Sequence, residues 1–450
     1  MCLGEGSQEA LRILKLASKV GTTIQNKSDR DHALLDIVRI QAFVDIGATQ
    51  QTASSIKNEV SRNNALWEVV HAQIRANDLK GAIQTATKIP NTHLVREQAL
   101  GDIARAQAES GDIPGAQKTA AMIQESRFYP QTLRAINSEI ILSKARARDM
   151  VSVRQAISNI SDGSERVEIY TVIVMKQVQA NDWAGARQTA NSIEDEFERA
   201  YVVALIAALL AESGDIKGAL ESAPPAKYPI ARGFALLGIA RAEAKAGNVK
   251  DALAAALDIQ HQVERNNALH DIVKAQVKVD DLLGARQTVT LFRDDDARGY
   301  ALVDIATFQA QAGDVKGAFE TASTIQSEEM KPVAFLKILG AQAQSGDSQG
   351  ALQTYARLKW TPFTGAAALR AIAVAQTESK DVKGALQTAA LIKDDFYRKE
   401  AMSEIAEAQV MAGDSTGALA WANKRQSPLE KTYALLGIAN GLLKQGKVSS

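Results

Sequence analysis

A short motif with the frame Gly-Asp-x-x-Gly-Ala returns at nearly constant spacing along almost the whole chain. Eight of the eleven intervals between its acidic or amide residues are 33 residues, two are 34 and one is 37. A unit of this size cannot bury an apolar face alone, so the spacing predicts supersecondary units that stack on their neighbours. We call this residue the repeat aspartate and number other positions relative to it; it occurs at Asp45, Asp78, Asp112, Asp149, Asp182, Asp215, Asn248, Asp281, Asp314, Asp347, Asp381 and Asp414.

Each unit has the pattern of two helices joined by a tight turn. Between Arg232 and Ile259, apolar residues recur at helical spacing on both sides of Gly247 and Asn248. The Gly or Asn before the repeat aspartate suits the left-handed residue that ends a helix, and the aspartate is a good N-cap. We call the two helices A and B. The sequence predicts an all-α solenoid of about 12 helix-turn-helix repeats of ~33 residues over residues 30–429.

Three further positions recur in most units. A basic residue at position −16, such as Arg199, lies ~24 Å from its own repeat aspartate at the helical rise per residue. It is therefore expected at the C-terminal end of the preceding helix B, where it meets free carbonyls and acidic loop residues. Gln at −5 and Thr at +7, such as Gln309 and Thr321, are expected to form partly buried hydrogen bonds between the helices.

Composition narrows the possible functions. Lys plus Arg and Asp plus Glu both number 52, so the chain lacks the basic surplus with which a general nucleic-acid binder neutralises phosphates. No stretch approaches the ~20 apolar residues of a transmembrane helix. Cys2 is the single cysteine, which excludes a disulfide within the chain.

The chain ends have their own expected roles. Residues 1–29 are expected to form an N-terminal capping helix, mainly over residues 8–24, and residues 430–450 a C-terminal one whose Asn440, Lys444 and Gln445 face solvent. The first residues have neither a basic region nor an apolar core, so a cytoplasmic location is expected. The alternative is an exported or envelope-associated protein with a processed N-terminus at Cys2.

The order of small and apolar residues in the unit resembles the tetratricopeptide repeat over roughly residues 30–446. The unit is usually one residue shorter than in that family, and Gln or Glu243 stands where an aromatic is expected. The resemblance implies a right-handed superhelix whose concave groove, lined by helix A, holds a peptide or partner protein. A pattern at Val95 and Arg96 also resembles HEAT repeats. The residues that carry the tetratricopeptide resemblance in one unit are Leu236, Ile239, Ala240, Gly247, Asn248, Ala252 and Ala256.

No arrangement of residues in the sequence indicates catalysis, a metal or a cofactor. The five histidines are not placed with other ligand types at metal spacing, and neither a nucleophile elbow nor a Walker loop occurs. Scattered carboxylates offer no identifiable acid-base pair. An enzyme would have to be an α/α-toroid, which closes with about half as many helix pairs. The expectation is a protein that is not an enzyme.

If the tetratricopeptide analogy holds, the side chains on helix A line a partner-binding groove. Position −7 is basic in the second and third units and again near Arg241, and turns acidic at Glu407. Converging cations attract carboxylates, so an acidic segment is expected to bind near Arg241, Lys245, Lys274 and Lys278. The expected partner-binding residues are Trp67, His71, Arg105, Met175, Arg241, Lys245, His270, Lys274, Lys278 and Arg370.

The sequence therefore favours a non-enzymatic scaffold that binds a protein or peptide in the groove. The alternatives are a structural solenoid that assembles with copies of itself and, third, a repeat protein that reads nucleic acid base by base, which zero net charge disfavours. The partner and the oligomeric state stay open. The pattern breaks at 126–130 and 224–229 are either tolerated loop variation or partner sites.

Overall fold

The computed structural model describes residues 5–90, 94–123, 132–134, 136–141, 150–160 and 162–448. Regular secondary structure in these ranges is entirely helical, which confirms the predicted all-α chain. Helix Glu5–Gly21 comes first, and residues 132–134 and 136–141 are also helical. The A helices are Lys27–Gln41, Glu59–Arg75, Leu94–Glu109, Gly163–Gln179, Glu196–Glu212, Pro229–Lys245, Gln262–Lys278, Asp295–Gln311, Met330–Gln344, Pro362–Glu378, Asp395–Met411 and Pro428–Val448. The shorter B helices are Ile46–Ser55, Leu79–Ala86, Ile113–Ala120, Met150–Ser158, Trp183–Asn191, Ile216–Ser222, Val249–Asp258, Leu282–Val289, Val315–Ser323, Ser348–Arg357, Val382–Ala390 and Ser415–Asn423.

The chain divides into two compact units. The first contains residues 1–140 and 342–450, and the second contains residues 141–341. Within each unit an A helix packs against its own B helix and against the next A helix, as in Pro229–Lys245, which contacts both Val249–Asp258 and Gln262–Lys278. This is the nearest-neighbour packing that the period predicts.

The turn between the helices has the predicted chemistry. The Gly or Asn before the repeat aspartate has positive φ, and Asp280 and Lys380 adopt the same conformation without any sequence signal for it. Asp314 Oδ1 accepts a hydrogen bond from Gly317 N at 2.8 Å, which is the expected N-cap. A Cβ at Gly317 would lie 2.0 Å from Asp314 Oδ2, so the second glycine of the frame makes room for the capping carboxylate. The repeat residue Asp149 lies outside the described residues.

A polar triad with a buried Gln and a buried Thr connects helix A, helix B and the turn. Gln309 Oε1 accepts from Thr321 Oγ1 at 2.6 Å, and Gln309 Nε2 donates to Asp314 Oδ2 at 3.1 Å. In the repeat of Asn248 the amide and the carboxylate exchange positions. The Asn248 amide donates to Glu243 Oε2 at 2.7 Å, whereas in the repeat of Asp314 the residue at −5 is the amide donor. The predicted hydrogen bonds between the helices are confirmed. The Gln–Thr bond recurs between Gln107 and Thr119, Gln177 and Thr189, Gln276 and Thr288, Gln342 and Thr354, and Gln376 and Thr388.

Breaking one triad should destabilise the protein measurably. In Gln309→Leu the buried Thr321 hydroxyl loses the acceptor of its hydrogen and one Asp314 oxygen loses a donor, which should cost about 1–3 kcal/mol of unfolding free energy. Gln311→Leu is the matched control, because Gln311 is on the same helix and exposed. Its effect should stay within about 0.5 kcal/mol. Urea unfolding of both variants measures the difference, and equal midpoints would contradict a structural role for the triad.

The recurring arginines lie where the sequence places them. Arg199 Nη1 donates to Ile193 O at 2.7 Å, and Arg398 Nη1 donates to Ile392 O at 2.9 Å. Both carbonyls follow the end of the preceding helix B. Arg398 Nε also donates to Glu430 Oε1 of the next A helix at 3.1 Å. The predicted structural role at position −16 is confirmed for these residues.

Inside the first unit the two terminal helices pack against each other. Pro428–Val448 contacts Glu5–Gly21 on one side and Asp395–Met411 on another, and it also contacts Lys27–Gln41. Ile13 and Leu14 share one buried cluster with Leu435 and other residues of the last helix. Each terminal helix therefore covers apolar surface of the other, where two separate caps were expected.

Polar contacts join the last helix to Lys27–Gln41 and to Asp395–Met411. Tyr433 Oη donates to Asp36 Oδ2 at 2.6 Å, and Lys399 Nζ donates to Tyr433 Oη at 2.9 Å. Asn440 and Lys444, expected to face solvent, both bond to Glu407.

Candidate functional site

The A helices keep one face free of their B helices. Side chains at positions −18, −14, −7 and −3 fall within about 60° of one another around the axis at 3.6 residues per turn. In Pro229–Lys245 these positions hold Ile230, Phe234, Arg241 and Lys245, and none of the four is buried. We call this surface the A-helix face. Seven of the ten predicted groove residues occupy its positions −7 and −3, and Trp67, His270 and Arg370 lie one turn before −7, at position −11.

None of the ten predicted partner-binding residues is buried, and they belong to both units. Trp67, His71, Arg105 and Arg370 lie in the first unit, and the other six lie in the second. One continuous surface containing all ten stays a prediction. The exposed members are Arg105, Met175, Lys245, Lys274 and Lys278, and the half-buried members are Trp67, His71, Arg241, His270 and Arg370.

Several of the predicted cations are already paired with a carboxylate of the next A helix. In the second unit, Arg241 Nε donates to Asp271 Oδ2 at 2.7 Å. His270 Nε2 lies 2.8 Å from Asp304 Oδ2, and Lys274 Nζ lies 3.9 Å from the same oxygen. These contacts join one repeat to the next.

The first unit repeats this arrangement with other side chains. Trp67 Nε1 donates to Asp102 Oδ2 at 3.0 Å, and His71 Nε2 lies 3.0 Å from that oxygen. The two rings pack edge to face with centroids 4.7 Å apart. Arg370 Nε contacts Glu404 Oε2 at 3.0 Å. These predicted groove residues therefore have a structural contact of their own.

The carboxylates of these pairs were missed by the sequence interpretation. They share position −10, whereas the prediction from the sequence used only the basic residues at position −7. A scan for acidic residues ten before the repeat aspartate would have found them, since a base on one repeat and an acid on the next indicate a contact between stacked helices. The acidic residues at this position include Glu68, Asp102, Asp271, Asp304 and Glu404.

Four of the predicted cations converge on one cleft in the second unit. The cleft lies between Pro229–Lys245 and Gln262–Lys278 and has a volume of about 530 Å³. Its only lining carboxylate among the described residues is Asp271. Lys245 and Lys278 form no ion pair within the described ranges. The cleft thus retains positive charge after internal pairing. Its cationic lining residues are Arg241, Lys245, Lys274 and Lys278.

The corresponding cleft in the last repeats of the first unit is acidic. It lies between Pro362–Glu378 and Asp395–Met411 and is lined by Glu378, Glu404 and Glu407. Burial raises the pKa of Glu404, and Arg370 opposes that rise. The change from basic to acidic matches the change at position −7 along the sequence. Different repeats therefore have different charges at equivalent positions of their A helices.

The pattern break at 224–229 bonds to the preceding A helix. Lys227 Nζ and Tyr228 Oη donate to Glu196 Oε2 at 2.8 and 2.5 Å. These hydrogen bonds lower the pKa of Glu196 to about 2, and the bond from Lys227 has the larger effect. This loop therefore has an internal contact. The break at 126–130 lies outside the described residues, as do Cys2 and His93.

Neither a cluster of metal ligands nor a membrane-spanning helix occurs in the described ranges. No three His, Cys, Asp or Glu side chains there come together as a metal site. No helix in the same ranges combines the length and the apolar character needed to cross a membrane.

The fold defines the chain as an all-helical repeat protein. No protein-family model matches it, and the search of curated proteins gives no match. Ton1535 from Thermococcus onnurineus NA1 is similar at 16% identity over 67% of this chain and 98% of that one, with a TM-score of 0.23. A circular tandem repeat protein with novel repeat topology and enhanced subunit contact surfaces is similar at 13% identity over 98% of this chain and 99% of that one, with a TM-score of 0.12. Such TM-scores support no inference about this chain.

Proposed function

We propose that this protein is a non-enzymatic scaffold that binds an acidic segment of a partner protein on its A-helix face. The observation that carries the proposal is the cleft between Pro229–Lys245 and Gln262–Lys278, where four cations face two carboxylates, Asp271 in the lining and Asp304 beside Lys274. Lys245 and Lys278 are exposed and have no ion pair within the described ranges. Carboxylates of a partner would supply the missing counter-charges.

The resemblance to tetratricopeptide repeats supports the same proposal. It implies a right-handed superhelix with helix A lining a concave groove. The zero net charge of the chain disfavours nucleic acid as the ligand of the cleft. Recognition by a local patch also suits a scaffold whose repeats differ in charge, because each repeat then selects a different part of the partner.

Charge reversal in the cleft should weaken partner binding. In the double variant Lys274→Glu and Lys278→Glu, the loss should be about tenfold, since each exposed contact is worth about 1 kcal/mol or less. The salt dependence of binding should become shallower because fewer charge pairs remain. Pull-down from the native source identifies the partner, and titration of that partner at several salt concentrations measures both effects.

A matched control separates this site from general electrostatics. Lys250→Glu with Lys316→Glu makes the same change in net charge on exposed positions of B helices. The control should bind the partner as the unaltered protein does. Equal affinities for both double variants would exclude the cleft as the binding site.

Self-assembly is the second candidate function, favoured by the presence of one cationic and one acidic cleft on different repeats. A cationic cleft on one copy could then receive acidic side chains from another. Size-exclusion chromatography with light scattering decides between the two. A monodisperse monomer supports partner binding, whereas concentration-dependent growth that salt reverses supports self-assembly.

A further inference from the structure

A row of exposed apolar side chains lies on the same A helices as the cationic cleft. At position −18 the second unit has Phe197, Ile230 and Val263, whose exposed fractions are 56%, 41% and 58%. Within the second unit the row is bounded by Ser164 and Asp296 at the same position, and in the first unit this position is again apolar and exposed at Val60, Leu94, Phe363 and Phe396. Large apolar side chains grouped in neighbouring repeats, and not scattered singly, mark an interaction surface.

Position −14 widens this row by one helical turn. Phe234 and Tyr300 are exposed there, and Tyr201 packs edge to face on Phe197 with ring centroids 5.0 Å apart. Because Glu196–Glu212, Pro229–Lys245 and Gln262–Lys278 pack side by side, equivalent positions on them are neighbours. We call the side chains of Phe197, Tyr201, Ile230, Phe234 and Val263 the apolar row.

The apolar row and the cationic cleft share the A-helix face. Ile230 and Arg241 are eleven residues apart in Pro229–Lys245, and Val263 and Lys274 are eleven apart in Gln262–Lys278. Eleven residues return to nearly the same side of a helix and advance ~16 Å along it. Both helices therefore present an apolar end and a cationic end on one surface.

From this arrangement we infer that the second unit binds an extended segment of a partner protein that has apolar side chains followed, about five residues later, by a cluster of carboxylates. The inference rests on the proposed function and adds the apolar half of the ligand. The spacing follows from the ~16 Å between the two ends, since an extended chain advances ~3.3 Å per residue. The apolar side chains cover Ile230 and Val263. The carboxylate cluster begins beside Arg241 and Lys274 and extends to Lys245 and Lys278, which lie one helical turn further along the same helices.

Two fluorescein-labelled peptides test the apolar half by fluorescence anisotropy. The first, the bipartite probe, has two leucines, a Gly/Ser spacer of about four residues and about four glutamates, matched to the reach of an extended chain. The second, the acidic probe, has serines in place of the leucines. Burial of the leucines should make the bipartite probe bind about tenfold more tightly.

Variants of the protein test whether the higher affinity for the bipartite probe comes from contacts with the apolar row. In Ile230→Ser with Val263→Ser, the bipartite probe should lose about tenfold in affinity, while the acidic probe should bind as before. Serine suits the first turn of a helix, so the fold should be kept. Leu220→Ser with Leu257→Ser is the control, because both leucines are exposed on B helices of the same unit.

The outcomes distinguish the two proposals. Equal binding of both probes to the unaltered protein overturns the apolar half and leaves the proposed function in place. Equal loss of both probes in the Ile230 and Val263 variant also overturns it, because the change would not be specific to apolar contact. Failure of the unaltered protein to bind either probe counts against the cationic cleft itself and therefore against the proposed function.

Discussion

Gly437→Ala should lower the unfolding free energy by about 3 kcal/mol, although it adds only one methyl group. A Cβ at this position would lie 1.9 Å from the Ser403 carbonyl oxygen and 2.9 Å from the Ser403 Cα. Those atoms belong to the backbone of the neighbouring A helix, so they cannot rotate away as a side chain would. Pro428–Val448 and Asp395–Met411 would have to separate, and their packed apolar side chains would lose contact.

Gly446→Ala on the same helix is the control for this prediction. No atom lies within 4 Å of a Cβ built at Gly446. Replacing a helical glycine by alanine without a clash should stabilise the helix by up to about 1 kcal/mol. The two variants should therefore move the urea midpoint in opposite directions. A shift of the same sign and size in both would show that the two helices do not approach as closely as described.

The repeated part of the fold could be predicted from the sequence because each local signal occurs many times. The turn before Asp314, its N-cap and the Gln309–Thr321 bond follow rules of backbone geometry and hydrogen bonding that any one repeat satisfies. Agreement among repeats then distinguishes a structural residue from a chance match. Local rules do not predict the conformation of Lys380, because its residue type does not indicate a positive φ. Only its place in the repeat does.

Contacts between elements far apart in the chain were not predictable in the same way. The packing of helix Glu5–Gly21 on Pro428–Val448 joins residues about four hundred positions apart, and each helix alone has only the pattern of an amphipathic cap. Whether such a face meets solvent or another helix depends on the accumulated geometry of the intervening repeats. That geometry depends on small rotations per repeat that composition does not encode.

The candidate site shows a related limit. The cations at Arg241, Lys274 and Lys278 could be located from the sequence, and the structure groups them in one cleft. Their charge was overestimated, because Asp271 is paired with Arg241 across the repeat boundary. Following the residue at position −7 through the repeats locates the cations but not the carboxylates that pair with them. Those lie three residues earlier on the next helix A.

Leu14→Ala should destabilise the protein by about 2–5 kcal/mol, because this side chain is fully buried in the apolar cluster to which both terminal helices contribute. The shortened side chain leaves a cavity in this cluster that surrounding residues fill only in part. Leu283→Ala is the control, since Leu283 lies on helix B Leu282–Val289 and is 72% exposed. Its effect should stay within about 0.5 kcal/mol.

Urea unfolding measures the loss of unfolding free energy in both variants. Limited proteolysis shows which part of the chain opens more often. If the terminal helices hold each other, Leu14→Ala should speed cleavage in the segment between Glu5–Gly21 and Lys27–Gln41, because local opening exposes this connection. Cleavage within the second unit should keep its rate. An unchanged midpoint together with unchanged cleavage would mean that Glu5–Gly21 contributes nothing to the first unit, and the burial of Leu14 in the cluster shared with the last helix would then be wrong.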